Sequence, residues 1–364
     1  GTVRSRPSLV LRKTGTPARA HPSAISRVLK AAVLPVERTV SDRERASALH
    51  TCRAAGLITG VEAGVESLEK PSPIDWGERP PVLLKLTSGT TAAPRAIRFR
   101  SAQLLADAKS ICETMGITDA DLNFAVIPVS HSYGFSNLIT PLLARGVPMA
   151  MSTDRIPRAI LHDLARTEST VFPGMPLFFQ AFSEMSDAPP LPKLRLCISA
   201  GAPLSGRAGK SFREKFGLPI HSFYGASECG GICYDRAGTE MAEGFVGTPM
   251  QGVELRPVDP EAESTQVRVR SAAVGDGYYP EPEPDKLSAG TFLPDDLLML
   301  SEAGVRIVGR LSDVINVAGK KVNPAEVEAH LLQHEAVQQA VVFGRASTSR
   351  NQEGGACAVV EDET

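Results

Sequence analysis

The segment from Leu86 to Arg95, LTSGTTAAPR, places the tightest constraint on what this chain can fold into. It lies between two short apolar runs, 82–84 and 96–99, and holds four hydroxyl side chains, one glycine and a terminal cation. This composition cannot fill a core, but its hydroxyls, free backbone N–H groups and positive charge are the groups that hold a polyphosphate. The alternative is an ordinary polar turn. The candidate phosphate ligands are Thr87, Ser88, Gly89, Thr90, Thr91 and Arg95.

This loop is not a Walker A motif, which needs a Gly-Lys pair and opens directly into a helix. Here Pro94 interrupts the segment and the chain resumes as a strand; a helical period predicts a helix only over 101–115, with Ser101 as its N-cap. The loop resembles the phosphate loop of the AMP-forming adenylating enzymes, the superfamily of acyl-CoA synthetases, luciferases and peptide-synthetase adenylation domains, whose pattern is S/T-S-G-S/T-T-G-x-P-K. Ala92 and Arg95 replace the glycine and the lysine of that pattern. Arginine keeps the charge and can fork onto phosphate oxygens, whereas alanine reduces backbone freedom.

A second segment, YGASE from Tyr224 to Glu228, follows a predicted strand. It resembles the Y-G-x-S/T-E motif of the same superfamily. Tyr224 offers a ring face for stacking, Ser227 a hydroxyl for the α-phosphate, and Glu228 a carboxylate for Mg²⁺ beside ATP. A lone glutamate is more commonly a solvated surface charge. The resemblance implies that these residues, together with Gly225, bind the nucleotide.

Two further segments end predicted strands with polar or small residues, where open α/β sheets bind their ligands. His131 follows the strand 123–128; the alternative is a structural histidine, and the resemblance places its ring beside the substrate carboxylate. The stretch 123–145 contains no acidic residue, where amino-acid-activating relatives carry an aspartate, so an acid without an α-amine is favoured. After the strand near 196, small residues let a flat ring approach the backbone, although tight strand–helix connections look similar. The resemblance places these residues along the adenine; they are Gly201, Ala202 and Pro203.

The last part of the chain adds two segments. Asp296 falls on the acid that holds the ribose hydroxyls in the superfamily, although Pro-Asp replaces the usual Thr-Gly before it. The segment 309–322 resembles the hinge motif that begins G-R-x-x-D. The resemblance implies that Arg310 reaches the ribose or a phosphate and that Ser312 lies at the pivot. A proline-started helix is predicted after Asn323.

These segments together predict an α/β fold. We expect a large N-terminal domain of stacked α/β sheets over 1–308, with a small β-barrel-like part at about 232–305, followed by a hinge and an incomplete α+β domain over 309–364. The first 36 residues hold seven Arg or Lys and no acid, which indicates a transit peptide or, as we expect, the incomplete start of a folded domain. In the superfamily a lysine near the C-terminus bridges the carboxylate and the α-phosphate, and no residue here matches it.

The composition argues against two classes of function, nucleic-acid binding and membrane spanning. A net charge of −2 gives no electrostatic footprint for nucleic acid, and no apolar run is long enough to span a membrane. The six cysteines are scattered and predicted to be buried, reduced thiols of a cytoplasmic protein. A metal–thiolate site at Cys229 and Cys233 is the alternative, but a second pair of ligands is missing.

The sequence therefore predicts a ligase that uses ATP and Mg²⁺ to convert a carboxylic acid into acyl-AMP, and that passes the acyl group to coenzyme A or to a carrier protein. The alternatives are a ligase that loads carrier proteins only and a non-catalytic nucleotide- or acyl-binding protein. An α/β-hydrolase is excluded because the segment 225–229 is not G-x-S-x-G. The predicted catalytic residues are Arg95, Glu228, Arg310 and His131, and the predicted substrate pocket comprises His131, Met175, Phe223, Gly225 and Cys229.

Overall fold

The computed structural model describes residues 9–11, 32–37, 40–57, 66–68, 74–87, 95–152, 154–238, 244–288, 290–317, 320–334, 336–347 and 351–360. Four predicted phosphate ligands, Ser88, Gly89, Thr90 and Thr91, lie outside these residues. The side chain of Ser312 is also not described.

Five parallel strands form the centre of the molecule. They are β6 (Asn123–Ala125), β7 (Met149–Met151), β8 (Val171–Gly174), β9 (Leu196–Ser199) and β10 (Ile220–Ala226), in the order β7-β6-β8-β9-β10. An edge strand, β1 (Leu9–Leu11), pairs antiparallel with β7. Because helices cover both faces of a parallel sheet, its strands are continuous apolar runs, and all four residues of β8 and of β9 are buried.

Helices connect the parallel strands in turn, and further helices lie in other parts of the chain. The described residues contain the helices α1 (Asp42–Thr51), α2 (Ser101–Met115), α3 (Ser132–Gly134), α4 (Thr140–Arg145), α5 (Pro157–Thr167), α6 (Pro176–Glu184), α7 (Gly206–Phe216) and α8 (Pro324–Leu331). A π-helical segment, Phe135–Ile139, joins α3 to α4. The core of this layer is aromatic: the ring of Phe172 on β8 lies within 6.4 Å of four other phenylalanine rings.

The order in which strands are added to the sheet reverses at β6, although the strands stay parallel. The connection from β6 leads to β7 on one side, and the next connection returns to β8 on the other side of β6. Such a switch point leaves a crevice at the carboxyl ends of the two strands, where ligands bind in open α/β sheets. His131 follows β6 at this edge, as the sequence predicted.

The same sheet continues as antiparallel strands. These are β11 (Gly230–Tyr234), β12 (Phe245–Pro249), β13 (Val253–Pro257), β14 (Thr265–Ser271), β16 (Leu287–Ser288), β17 (Thr291–Phe292), β18 (Asp296–Ser301) and β19 (Gly304–Arg310). The strands predicted over 232–305 are thus confirmed. Their pairing follows an open path, β10-β11-β12-β19-β18-β14-β17-β16, and does not close into a barrel within the described residues.

A separate sheet carries the ends of the phosphate-loop segment. Strands β4 (Leu83–Leu86) and β5 (Ala96–Phe99) pair antiparallel, which confirms the predicted strands on both sides of the loop, and β15 (Tyr278–Tyr279) pairs with β5. A two-stranded sheet is formed by β2 (Gly56–Leu57) and β3 (Glu66–Ser67). The pairing of β15 with β5 brings residues nearly two hundred positions apart beside the loop.

Helix α2 begins at Ser101 as expected, but the prediction that Ser101 is its N-cap was wrong. Arg100 is the N-cap, and its backbone N–H donates to Gln103 Oε1 at 2.7 Å. The Arg100 side chain donates to both carboxylate oxygens of Asp276, at 2.6 and 2.8 Å. The start of the helix is therefore fixed by a contact with a distant part of the chain.

The C-terminal part forms a four-stranded sheet in the order β21-β20-β23-β22. Its strands are β20 (Ile315–Val317), β21 (Lys320–Val322), β22 (Val337–Ser347) and β23 (Asn351–Val360), and helix α8 packs against β22 and β19. A 3₁₀ turn, Leu311–Asp313, separates this unit from β19. The helix predicted after Asn323 is confirmed; the domain boundary at 308/309 stays a prediction.

Two further predictions concern membranes and thiols. None of the helices within the described residues combines the length and hydrophobicity needed to cross a lipid bilayer. Five of the six cysteines are buried free thiols, as predicted, but Cys357 is exposed because it lies on the terminal strand β23.

Candidate active site

Tyr224, Asp296 and Arg310 form a hydrogen-bonded cluster. The register of β18 and β19 places Asp296 opposite Arg310, and Tyr224 reaches them from β10. Tyr224 Oη donates to Asp296 Oδ2 at 2.6 Å, and Arg310 Nε donates to Asp296 Oδ1 at 2.7 Å. Asp296 is only 7% exposed, so this carboxylate is held in place by two donors.

The electrostatics of this cluster fix its protonation. Burial raises the pKa of Tyr224 well above 10, and the neighbouring Asp296 carboxylate raises it further, so the phenol stays protonated and keeps donating. The Asp296 carboxylate also raises the pKa of Arg310. Beside Asp296 the cluster therefore holds a neutral phenol that donates and a permanent cation.

A second cluster joins Arg95 to Glu228 through Tyr278. The Arg95 guanidinium lies 4.1 Å from the centre of the Tyr278 ring, and Tyr278 Oη donates to Glu228 Oε1 at 2.8 Å. Arg95 also forms an ion pair with Glu283. Burial raises the pKa of Glu228, while the hydrogen bond from Tyr278 acts in the opposite direction.

The segment after β6 is locked to the crevice by Tyr133. Its hydroxyl lies 3.2 Å from two carbonyl oxygens, that of Gly174, the last residue of β8, and that of Ile198, the last but one of β9. A Cβ atom at Gly134 would lie 2.2 Å from the Pro128 carbonyl oxygen, so this turn requires glycine. The segment thereby presents the residues before Tyr133 to the crevice.

His131 and Ser132 are the residues so presented. His131 is exposed, and its Nδ1 accepts the backbone N–H of Tyr133 at 3.2 Å, which places the proton of the neutral ring on Nε2. Ser132 Oγ donates to Ser227 Oγ at 2.7 Å. The α3 turn is thus connected to the residue that precedes Glu228.

A cavity of about 1140 Å³ lies along these elements, between the parallel sheet, strands β18 and β19 and the C-terminal sheet. Gly201, with φ of +89°, forms part of its wall in a conformation that favours glycine. The predicted site residues that line it are His131, Gly201, Ala202, Pro203, Phe223, Tyr224, Gly225, Ser227, Asp296 and Arg310.

Other predicted residues lie elsewhere. Thr87, Arg95 and Glu228 are not part of the cavity wall; Glu228 adjoins it through its neighbour Ser227. Met175 is 38% exposed and Cys229 is fully buried, and neither lines the cavity. Cys229 packs in an apolar cluster, and no group of three or more His, Cys, Asp or Glu in the described part of the chain is placed to hold a metal ion.

Sequence reasoning did not single out Tyr278 or Ser132. Tyr278 follows a glycine in a run without a clear period, and only the pairing of β15 with β5 brings it to Glu228. Ser132 stood beside the selected His131, but only the contact with Ser227 shows a role.

Replacing Tyr224 with phenylalanine is expected to reduce the free energy of unfolding by about 1.5–3 kcal/mol, because a buried hydrogen bond to a charged group is lost while the ring is kept. Chemical denaturation measures this difference. Tyr279→Phe is the control, since the Tyr279 ring packs on Trp76 and its hydroxyl forms no hydrogen bond with any described residue. Equal losses of stability in the two variants would show that the Tyr224–Asp296 contact contributes nothing.

Family models and several known proteins match most of this chain. A family model described as AMP-binding enzyme matches residues 18–279, and one described as AMP-binding enzyme C-terminal domain matches residues 312–353. Benzoate–CoA ligase from Thauera aromatica is 30% identical over 277 residues, which cover 71% of this chain and 52% of the relative. The 3,4-dihydroxybenzoate–[aryl-carrier protein] ligase from Bacillus anthracis is 27% identical, covering 85% of this chain and 68% of the relative.

Among solved structures, ATP-bound MatB from Rhodopseudomonas palustris superposes with a TM-score of 0.70 at 25% identity, covering 82% of this chain and 61% of that structure. The chain thus spans about half the length of the benzoate–CoA ligase and under two thirds of the MatB structure.

Proposed function

The chain belongs to the AMP-binding enzyme family, and from this premise we propose that it activates a carboxylic acid with ATP and transfers the acyl group to a thiol. In the first half-reaction an oxygen of the acid attacks the α-phosphorus of ATP, the bond from this phosphorus to the bridging oxygen breaks, and pyrophosphate leaves. In the second, a thiolate attacks the acyl carbon of the acyl-adenylate and AMP leaves. The protein has to align these groups and to compensate their charge.

The observation that carries this proposal is the buried Asp296 carboxylate in the cavity wall, held between Tyr224 and Arg310. A carboxylate has about four lone-pair sites, so it can accept the two vicinal hydroxyls of a ribose while it keeps both of its present donors. The small residues Gly201 and Ala202 in the same wall let an adenine ring approach the backbone.

Thr87, Arg95 and Glu228 would bind the triphosphate and its cation. The Arg95 cation at the end of the phosphate-loop segment can fork onto phosphate oxygens, which would compete with its present partner Glu283. Glu228 fits Mg²⁺, because this ion is usually held by one or two carboxylates together with substrate phosphates. When bound, Mg²⁺ would neutralise charge on the phosphates. Tyr278 orients the Glu228 carboxylate by its hydrogen bond.

The acid would bind beside His131, Phe223 and Gly225. No acidic side chain lies in 123–145 to receive an α-ammonium group, and the relatives named above act on benzoate and 3,4-dihydroxybenzoate, which lack one. The Nε2–H of His131 supplies a donor for the substrate carboxylate, since Nδ1 is already used as an acceptor.

Acid-dependent ATP–pyrophosphate exchange tests this proposal. We expect incorporation of labelled pyrophosphate into ATP when a suitable acid, ATP and Mg²⁺ are present, and none when the acid is omitted. Saturable ATP binding without exchange for any acid of a broad panel would instead identify a nucleotide-binding protein without ligase activity.

We favour coenzyme A as the thiol that accepts the acyl group. The aryl-carrier-protein ligase among the relatives supports a second candidate, a carrier-bound phosphopantetheine thiol. Supplying the same acyl-adenylate mixture with free coenzyme A or with a carrier protein, and measuring thioester formation, separates the two.

A further inference from the structure

A lysine is buried behind the wall of the cavity. Lys85, on β4, is 5% exposed, and its ammonium group lies 4.8 Å from the centre of the Phe99 ring and 5.1 Å from that of Phe135. Among the described residues its hydrogen-bond contact is with Ser136 Oγ, at 3.5 Å, and none of their carboxylates forms an ion pair with it. Burying an ammonium group costs free energy unless its N–H groups find acceptors. A lysine that is buried with so few partners therefore indicates a functional role.

Ser136 connects this lysine to the cavity. It lies in the π-helical segment, is 3% exposed and lines the cavity. An ammonium group can only donate, so Ser136 Oγ accepts from Lys85, and the O–H of Ser136 remains as a donor without a partner among the residues that the structure describes. Ser136 follows Ser132, which contacts Ser227, by about one helical turn.

A second hydroxyl in the same wall is also unsatisfied. Ser199 Oγ, at the carboxyl end of β9, is buried, lines the cavity and has no hydrogen-bond partner in the described part of the chain. Buried hydroxyls without partners are uncommon in native structures, and a ligand group is one explanation.

We propose that Ser136, positioned by Lys85, donates a hydrogen bond to an oxygen substituent on the acid, remote from the carboxylate that is activated. The substrate class is therefore an acid that carries a distal hydroxyl or a second carboxylate. This inference rests on the proposed function and deepens it, since it concerns the acid pocket of the same cavity.

The charges around Lys85 agree with this role. Burial lowers the pKa of Lys85, while the carboxylates of Asp107 and Glu228 favour its charged form. Asp107 is itself buried and accepts the backbone N–H of Gly231 at 3.1 Å. A charged Lys85 polarises the Ser136 hydroxyl and makes it a stronger donor toward the cavity.

Paired acids test the proposal with the full chain. Benzoate is compared with meta-hydroxybenzoate, para-hydroxybenzoate and isophthalate, and hexanoate with 6-hydroxyhexanoate and adipate. We expect kcat/KM for pyrophosphate release to be about tenfold or more higher for an oxygen-bearing acid than for its unsubstituted partner. Ser136→Ala should lower kcat/KM for the oxygen-bearing acid by about tenfold and leave the unsubstituted acid within about twofold.

Three further variants serve as checks. Ser169→Ala removes a buried hydroxyl that is bonded to Thr167 and does not line the cavity, so it should alter neither class of acid. Lys85→Met should reduce the preference for the oxygen-bearing acid over its unsubstituted partner, and Lys85→Arg should restore part of it. Because both acids are measured on the same folded variant, this ratio does not depend on how much of the protein folds.

The outcomes are distinct. A preference for the hydroxy acids or for the dicarboxylates identifies which oxygen is bound, and either one supports the proposal. Equal kcat/KM for paired acids, or a preference that survives Ser136→Ala, overturns it. If no acid releases pyrophosphate, the proposed function fails, and the dissociation constants of the paired acids, measured by calorimetry on wild type and Ser136→Ala, still decide the inference by the same ranking.

Discussion

Replacing Asp296 with alanine is expected to lower acid-dependent ATP–pyrophosphate exchange at subsaturating ATP by about 10²–10³-fold, because charge-assisted hydrogen bonds to the ribose are lost. The carboxylate is buried and held by Tyr224 and Arg310, so it needs little reorganisation on binding. Its removal also leaves the Tyr224 hydroxyl without its acceptor. The KM for ATP should carry most of the effect.

Asp295 provides a matched control for this experiment. It precedes Asp296, is exposed, pairs with Lys286 at 2.6 Å and does not line the cavity. Asp295→Ala should change exchange by no more than about twofold, as expected for a surface ion pair. Asp296→Asn keeps the size of the side chain and one of the two acceptor oxygens, so it should be less destabilising than Asp296→Ala while ATP binding stays weak. Unchanged KM for ATP in both Asp296 variants would contradict a ribose role.

The sequence was most informative where function imposes local composition. The strands on both sides of the phosphate-loop segment, helix α2 and the carboxyl-edge position of His131 all follow from patterns within about fifteen residues. The meeting of Tyr224, Asp296 and Arg310 was expected only through the family resemblance, because no local pattern joins residues so far apart. The structure now gives these three side chains direct hydrogen bonds.

The contacts that sequence reasoning missed depend on long-range pairing. Tyr278 reaches Glu228 because β15 pairs with β5, and the N-cap of α2 moves to Arg100 because Asp276 binds it. Lys85 did leave a signal, a charged residue inside an otherwise apolar strand. The sequence pattern alone does not show that Lys85 lies beside the cavity.

Glu228→Gln is expected to reduce acid-dependent exchange by about 10³-fold while it raises the unfolding temperature of the protein without ligands. The amide keeps the size of the side chain and can still accept from Tyr278, but it is a poor ligand for Mg²⁺. Exchange requires the ionised carboxylate, so wild-type activity should fall as the pH decreases through the raised pKa of Glu228. Tyr278→Phe removes the donor that lowers this pKa, so the fall should begin at a higher pH.

The stability change has a defined sign. Burial raises the pKa of Glu228 in the folded protein above the usual 4.5, so the folded state holds its proton more tightly than the unfolded chain. Folding stability from this group is present at low pH and lost as the pH rises through the folded pKa. The Gln variant escapes that loss; its unfolding temperature should exceed that of wild type near pH 8, and the difference should vanish toward pH 4.5.

Exchange activity and unfolding temperature should be measured on the same samples, because together they distinguish a loss of metal binding from a loss of folding. Glu281→Gln, at an exposed position, controls for the removal of one negative charge and should change neither quantity. A variant that merely unfolds would lose both activity and stability. If the Glu228 carboxylate binds the metal ion and destabilises the fold, its replacement should lower the exchange activity and raise the unfolding temperature. Retained exchange in Glu228→Gln, or a lowered unfolding temperature at pH 8, would contradict the assignment of Glu228 as the residue that binds Mg²⁺.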